Sequence, residues 1–124
     1  MLTPQIINQF ASSLQRRMPD IENIQIMTVD GLSLYAASDT QLTDTVSALS
    51  ALLYSAASNL AGFLRAGKSP GMIICMKDFA YIITQLNAEC VIGFQVSIRA
   101  GTVQTLHAVC DYIETNGGQL SVAY

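Results

Sequence analysis

Apolar residues recur along this chain with two periods, and the switches between them lay out its elements. Ile6, Ile7, Phe10, Leu14 and Met18 fall three or four apart, the spacing of one helix face, and predict a helix over residues 4–17. Thr3 can cap it, Pro4 suits its first turn, Leu2 is placed to staple onto Ile7, and Pro19 disfavours helix at Met18. The period then drops to two. Residues 24–29 and 32–37 flank Asp30-Gly31, whose tolerance of positive φ predicts a two-residue type I′ turn and hence a β-hairpin.

A polar stretch at 38–43 offers several N-caps for the longest predicted helix, residues 42–65, roughly 35 Å at 1.5 Å per residue. Arg65 suits the negative end of its dipole, Gly67 is the expected C-cap and Pro70 follows. Strands are predicted at 72–76, 79–86 and 90–98, joined by turns at Lys77-Asp78 and Asn87-Ala88-Glu89. The first and last of these are apolar at successive positions, the mark of a strand covered on both sides. Gly101 and Thr102 open a last helix with Val103, Leu106, Val109, Cys110 and Ile113 on one face, stopped by Asn116-Gly117-Gly118. Residues 119–124 form a tail without an assigned element. The order α-β-β-α-β-β-β-α, with helices needed on both sheet faces, makes a single α/β domain over residues 1–124: a three-layer α/β/α sandwich around a five-stranded, mostly antiparallel sheet.

The long helix carries two stripes. Leu42, Val46, Leu49, Leu53, Ala56, Leu60 and Phe63 form a large apolar row, expected to lie on the sheet. Ala48, Ala51, Ser55, Ser58 and Gly62 repeat the spacing with small residues, about 150° away at 100° per residue. No charge falls between Asp44 and Arg65, whereas a solvated helix usually carries Lys and Glu. The small row is therefore expected to pack on the same helix of a second copy. Met72, Ile74 and Met76 belong to a strand that would be a hazard as a free edge, and pairing it with its copy would remove that edge.

Composition agrees with a covered surface. Of 124 residues 51% are hydrophobic but only 12% charged, about half the usual supply for a soluble domain. A net charge of −3 gives no basic field, which argues against nucleic acid and anionic membrane as partners. No unbroken apolar run approaches the ~20 residues of a bilayer span, and residues 1–4 lack the pattern of a secretory signal, so no membrane insertion is expected. Cys75, Cys90 and Cys110, an odd number inside apolar segments, read as free thiols and point to the cytoplasm.

The pattern resembles the roadblock / dynein light-chain domain, whose bacterial members include regulators of Ras-like GTPases. The resemblance runs over residues 4–116. It is carried by the leading amphipathic helix, by Ile24 to Leu34 with its Asp-Gly hairpin, by the Ala/Leu/Ser-rich long helix, and by Tyr81-Ile82-Ile83-Thr84 and Cys90-Val91-Ile92-Gly93-Phe94. It implies a sheet ordered 2-1-5-4-3, the long helix on one face and the terminal helices on the other. It also implies a homodimer through the long helix and third strand that receives a small Ras-like GTPase or another roadblock-type adaptor. Tyr54, off the large stripe, and Arg65 are the residues expected to touch that partner.

Candidate chemistry is sparse. His107 and Cys110 share a helix face, but no second pair stands at zinc-site spacing. The acidic residues are scattered among caps and turns, and neither a Gly-x-Gly-x-x-Gly nor a Gly-x4-Gly-Lys-Ser/Thr loop is present. No catalytic residue, cofactor or metal is therefore assigned. The expected function is a non-catalytic homodimeric scaffold that binds such a GTPase and modulates GTP hydrolysis. The alternative is a profilin- or PAS-like small-molecule sensor, which would show a cavity ringed by convergent polar groups.

Overall fold

The computed structural model describes residues 3–38, 40–67 and 71–117. Leu2, Pro70, Gly118 and the 119–124 tail, to which the sequence assigns a staple, a helix stop and no element, lie outside the described residues. The elements are α1 (Pro4–Arg17), β1 (Ile21–Thr28), β2 (Ser33–Ala36), α2 (Thr43–Phe63), β3 (Met72–Cys75), β4 (Phe79–Gln85), β5 (Cys90–Ser97) and α3 (Thr102–Asn116). The five strands form one sheet in the order β2-β1-β5-β4-β3, and every pair is antiparallel.

Thr3 Oγ1 accepts the N–H of Ile6, and α1 buries Ile7, Phe10, Ala11 and Leu14, the face its periodicity predicts. That face meets Ile82, Ile92, Phe94 and Val96 of the sheet and Leu106 and Val109 of α3 in one core. The Phe10 ring tilts at 58° against Tyr112 of α3, centroids 5.5 Å apart. Neighbouring positions on the same strands, Ile83 and Val91, point the other way into a smaller cluster under α2. Of the two strands read as apolar on both faces, central β5 is covered on both, whereas β3 lies at the sheet edge and is only half-buried, with Cys75 exposed.

The hairpin departs from the expected turn. The N–H of Gly31 bonds to Thr28 O and the N–H of Thr28 to Leu32 O, closing a three-residue loop. Gly31 alone in that loop has positive φ, +95°, so a type I turn with glycine in the left-handed position replaces type I′. The reason is contact: a side chain at Gly31 would press on the Ala48 backbone of α2, so the turn follows the helix. β1 also starts three residues earlier than predicted. An extra residue between Glu22 and Gln25 bulges the strand, with Asn23 at φ +53°.

α2 stops two residues before its predicted end. The N–H of Ala66 bonds to Ala61 O and that of Arg65 to Gly62 O, a Schellman ending in which Arg65 takes the left-handed conformation, φ +53°. Gly67, the expected cap, also has positive φ but lies beyond the motif. As a helix of 21 residues with mean hydropathy 1.3, α2 is long and apolar enough, by length and composition alone, to cross a membrane. Unbroken apolar runs do not reveal this, because serines interrupt its leucines.

Candidate interaction surface on the long helix

α2 does not seat its large apolar stripe on the sheet. The residues that face the sheet are Thr43, Ser47, Ser50 and Ala51, all buried, followed by half-buried Tyr54, Ala57 and Ala61. Thr43, Ser47, Ser50, Tyr54, Ala57 and Ala61 alternate spacings of four and three, a third row lying between the two stripes read from the sequence.

This seat is polar because the sheet beneath it is polar. The side-chain amide of Gln25 donates to Thr43 O at 2.9 Å and Ser47 Oγ at 2.8 Å. Ser50 Oγ and the Tyr81 hydroxyl lie 2.7 Å apart, and the Tyr54 hydroxyl donates to Gln85 Oε1 at 3.0 Å. Tyr81 reaches Ser50 by lying across Gly93, where any side chain would collide with its ring and hydroxyl. Burial pushes the Tyr81 hydroxyl above its ordinary 10.0, against the opposing hydrogen bond to Ser50. Each contact replaces water with a protein partner, so the small row can be buried without an unsatisfied group.

The consequence is an apolar outer surface. Leu49, Leu52 and Leu60 are more than half exposed and Phe63 is 87% exposed, with Leu42 and Leu53 beside them. Five large side chains are thus left uncovered on α2, and Leu42 and Leu64 at its two caps are exposed as well. Ala48 rests over Gly31 at the β1–β2 turn. Leu49, Leu53 and Leu60 lie about 100–140° round the helix from Ala48. They occupy a flank turned away from that hairpin. β3 is an edge strand, and its Met72 and Ile74 join the cluster under α2 while Met76 is 46% exposed.

The residues singled out from sequence are therefore not one patch. Ala51 is directed at the chain's own sheet, and Ala48 at its own hairpin turn. Ser55, Ser58 and Gly62 are exposed. Tyr54 spends its hydroxyl on Gln85 and packs on the cluster under α2, so it is part of the seat, while Arg65 is exposed at the helix end. The large stripe is legible in the sequence, but it faces outward and not onto the sheet. No local signal marks this: Gln25, Tyr81 and Gln85 are distant in sequence, and only the folded sheet brings their polar groups onto one face for the hydroxyl-bearing row.

Elsewhere the chemistry is quiet. His107 is exposed, whereas Cys110 sits 3.6 Å from Thr84 Oγ1. All three cysteines are free thiols, and Cys75, expected within an apolar segment, is exposed on β3. Burial first, then the Glu89 charge, raises the Cys90 thiol above its ordinary 9.0, so it stays protonated. Among the described residues no three His, Cys, Asp or Glu side chains gather as a metal site.

Known proteins share this architecture. The Roadblock/LC7 domain profile matches residues 7–95. A Roadblock/LC7 domain from Streptomyces avermitilis superposes with a TM-score of 0.72 at 16% identity, covering 84% of this chain and 88% of that one. Myxococcus xanthus MglB gives 0.72 at 16% identity over 93% and 90%. The gliding protein MglB from Thermus thermophilus gives 0.72 at 12% identity over 98% and 95%. At such identities the likeness speaks to fold alone. Among curated protein sequences none matches.

Proposed function

The chain belongs to the Roadblock/LC7 domain family, and from that premise we propose that it is a non-catalytic homodimeric scaffold that binds a small Ras-like GTPase or a related roadblock-type adaptor and modulates GTP hydrolysis. The observation that carries the first half is the exposed leucine row on α2, with the β3 sheet edge as a second uncovered surface. A second copy is the occupant that fits best, because the row is self-complementary. Leu42, Leu49, Leu53 and Leu60 are apolar, uncharged neighbours flank them, and a two-fold axis would set each row against its twin. Burying a leucine contributes about 1.5–3 kcal/mol, and a stable interface needs roughly 800 Å² from each partner. The leucine row and the half-exposed Met76 would supply the apolar part of such a contact. Pairing β3 with its copy would also remove an exposed edge.

The GTPase half rests on the family resemblance. Arg65, exposed at the end of α2, and the flank of Ser55, Ser58 and Gly62 lie outside the proposed dimer contact and are available to such a partner. A cytoplasmic setting is supported by the three free thiols.

Light scattering at micromolar concentration should report a dimer, and Leu49→Glu plus Leu60→Glu should yield a monomer with an unchanged circular dichroism spectrum. Both side chains are exposed, so the fold is spared. Ala51→Glu, by contrast, should unfold the chain, because it buries a charge against the sheet. A wild-type monomer would overturn the dimer. Calorimetric titration with Ras-like GTPases of the same cell, loaded with GTP or GDP, tests the partner. Absence of heat for both nucleotide states sinks that half alone.

A further inference from the structure

The two edges of the sheet are not equivalent. β2 meets β1 through a shifted register, in which Ile26 pairs with Tyr35 and Met27 with Ser33, so that Leu34 is an extra residue. A bulge of this kind bends an edge and discourages a further strand. β3 has no such shift. Met72, Ile73, Ile74 and Cys75 pair in unbroken register with Ile83, Ile82, Tyr81 and Ala80. The outer side of β3 carries no strand among the described residues.

The ladder also fixes which groups that edge offers. The N–H of Met76 donates to Phe79 O at 2.8 Å, which makes these two a hydrogen-bonded pair. Such pairs alternate along antiparallel strands, so Ile74 with Tyr81 and Met72 with Ile83 come next. The N–H and C=O groups of Ile73 and Cys75, which lie between them, are therefore turned away from β4. Among the described residues nothing bonds to those outward groups. Met72 to Met76 carry no charge, and Lys77 and Asp78 follow in the turn.

We infer that β3 pairs antiparallel with β3 of a second copy about a two-fold axis through Ile74, which sets Ile73 of each copy opposite Cys75 of the other. This rests on the homodimer reading and adds a register to it. Outward residues must meet outward residues, which leaves Ile73, Ile74 and Cys75 as possible centres. Centring on Ile73 sets Cys75 against Gly71, ahead of the strand. Centring on Cys75 sets Ile73 against Lys77, in the turn. Only the axis through Ile74 matches both outward residues of one copy with both of the other, each pair exchanging two hydrogen bonds. A like copy is the occupant this edge fits, because its free groups are self-complementary under that axis and no like charges meet. The side chains agree with it. Met72 and Ile74, which join the cluster under α2, would meet Met76 and Ile74 of the second copy on that same sheet face.

Cysteine capture reads this register. Residues directly opposed in a non-hydrogen-bonded pair have Cα atoms about 4.5 Å apart, within disulfide reach, whereas the two Cys75 residues would lie diagonally, about 7–8 Å apart and beyond it. The full chain carrying Ile74→Cys with Cys75→Ser should be captured as a covalent dimer by oxidised glutathione at least about tenfold faster than the wild type. Cys90 and Cys110 are common to both proteins. Hydrogen exchange gives a second reading on the native sequence. The Ile73 and Cys75 amides should exchange at least about tenfold more slowly in the wild-type dimer than in the Leu49→Glu, Leu60→Glu variant. The register is overturned, with the homodimer left standing, if light scattering reports a dimer whose Ile73 and Cys75 amides are unprotected. Capture of the wild type as fast as the double variant, or of neither protein, overturns it equally. A wild-type monomer sinks the homodimer and the register together. Should circular dichroism show the double variant unfolded, the exchange measurement decides alone.

Discussion

On one face of the sheet α1 buries Phe10 and Leu14 against Ile82, Ile92 and Phe94; on the other, α2 rests on Thr43, Ser47 and Ser50 and carries its leucines outward. Both helices are amphipathic, yet their apolar sides point in opposite senses relative to the sheet. The first layer is held by exclusion of water from large side chains. The second is held by hydrogen bonds of Gln25, Tyr81 and Gln85 to a small hydroxyl-bearing row, supplemented by Ala51 on Ile83 and Val91. An apolar stripe thus states that a face must be covered. It does not state whether the cover is the chain's own sheet or another molecule.

The sharpest way to break this contrast is to truncate one large residue on each side. Phe10→Ala should cost about 3–5 kcal/mol in urea unfolding, at any protein concentration, because Phe10 is fully buried. Leu49→Ala should cost stability only in proportion to self-association, so its effect should shrink on dilution. A loss for Leu49→Ala as large as that for Phe10→Ala and independent of concentration would mean that α2 sits on its leucines after all.

A smaller effect probes the polar seat. Tyr81→Phe removes the bond to Ser50 and should cost about 1 kcal/mol at pH 8. Above pH 10 the difference shrinks. Folding holds the Tyr81 proton more tightly than the unfolded chain does, so stability present below pH 10.0 is lost as pH rises toward the raised value. The phenylalanine variant lacks that loss, and the gap between variant and wild type should narrow from pH 8 to pH 10.5. Cys90 titrates in both proteins and cancels. An unchanged gap would place Tyr81 in an environment no more buried than water.

The smallest effect concerns the end of α2. Arg65→Gly should raise the unfolding free energy by up to about 1 kcal/mol, since glycine takes φ +53° without the side-chain clash that arginine meets. If stability falls instead, the Arg65 side chain contributes to the seat of α2, and the Schellman ending is not where strain lies.

α1, the three strands after α2 and α3 are legible within a residue or two, because each has one dominant period and clear caps or turns. The hairpin is legible as a hairpin, but its turn type answers to Ala48, which no local pattern contains. The bulge at Asn23 leaves no periodic trace, since a single inserted residue looks like an earlier strand end. In α2 the sequence reading finds two rows, and size alone suggests the leucines for the inner position, whereas the row that faces the sheet is a third of the same spacing. Pattern determined the number, order and type of elements, and it determined that α2 has more apolar surface than one sheet can cover. Which row turns inward was decided only in the tertiary structure, where Gln25, Tyr81 and Gln85, distant in sequence, meet on one sheet face and require hydroxyl partners. Hydrophobic spacing is a local property of the chain, whereas the satisfaction of buried polar groups depends on what folding brings together.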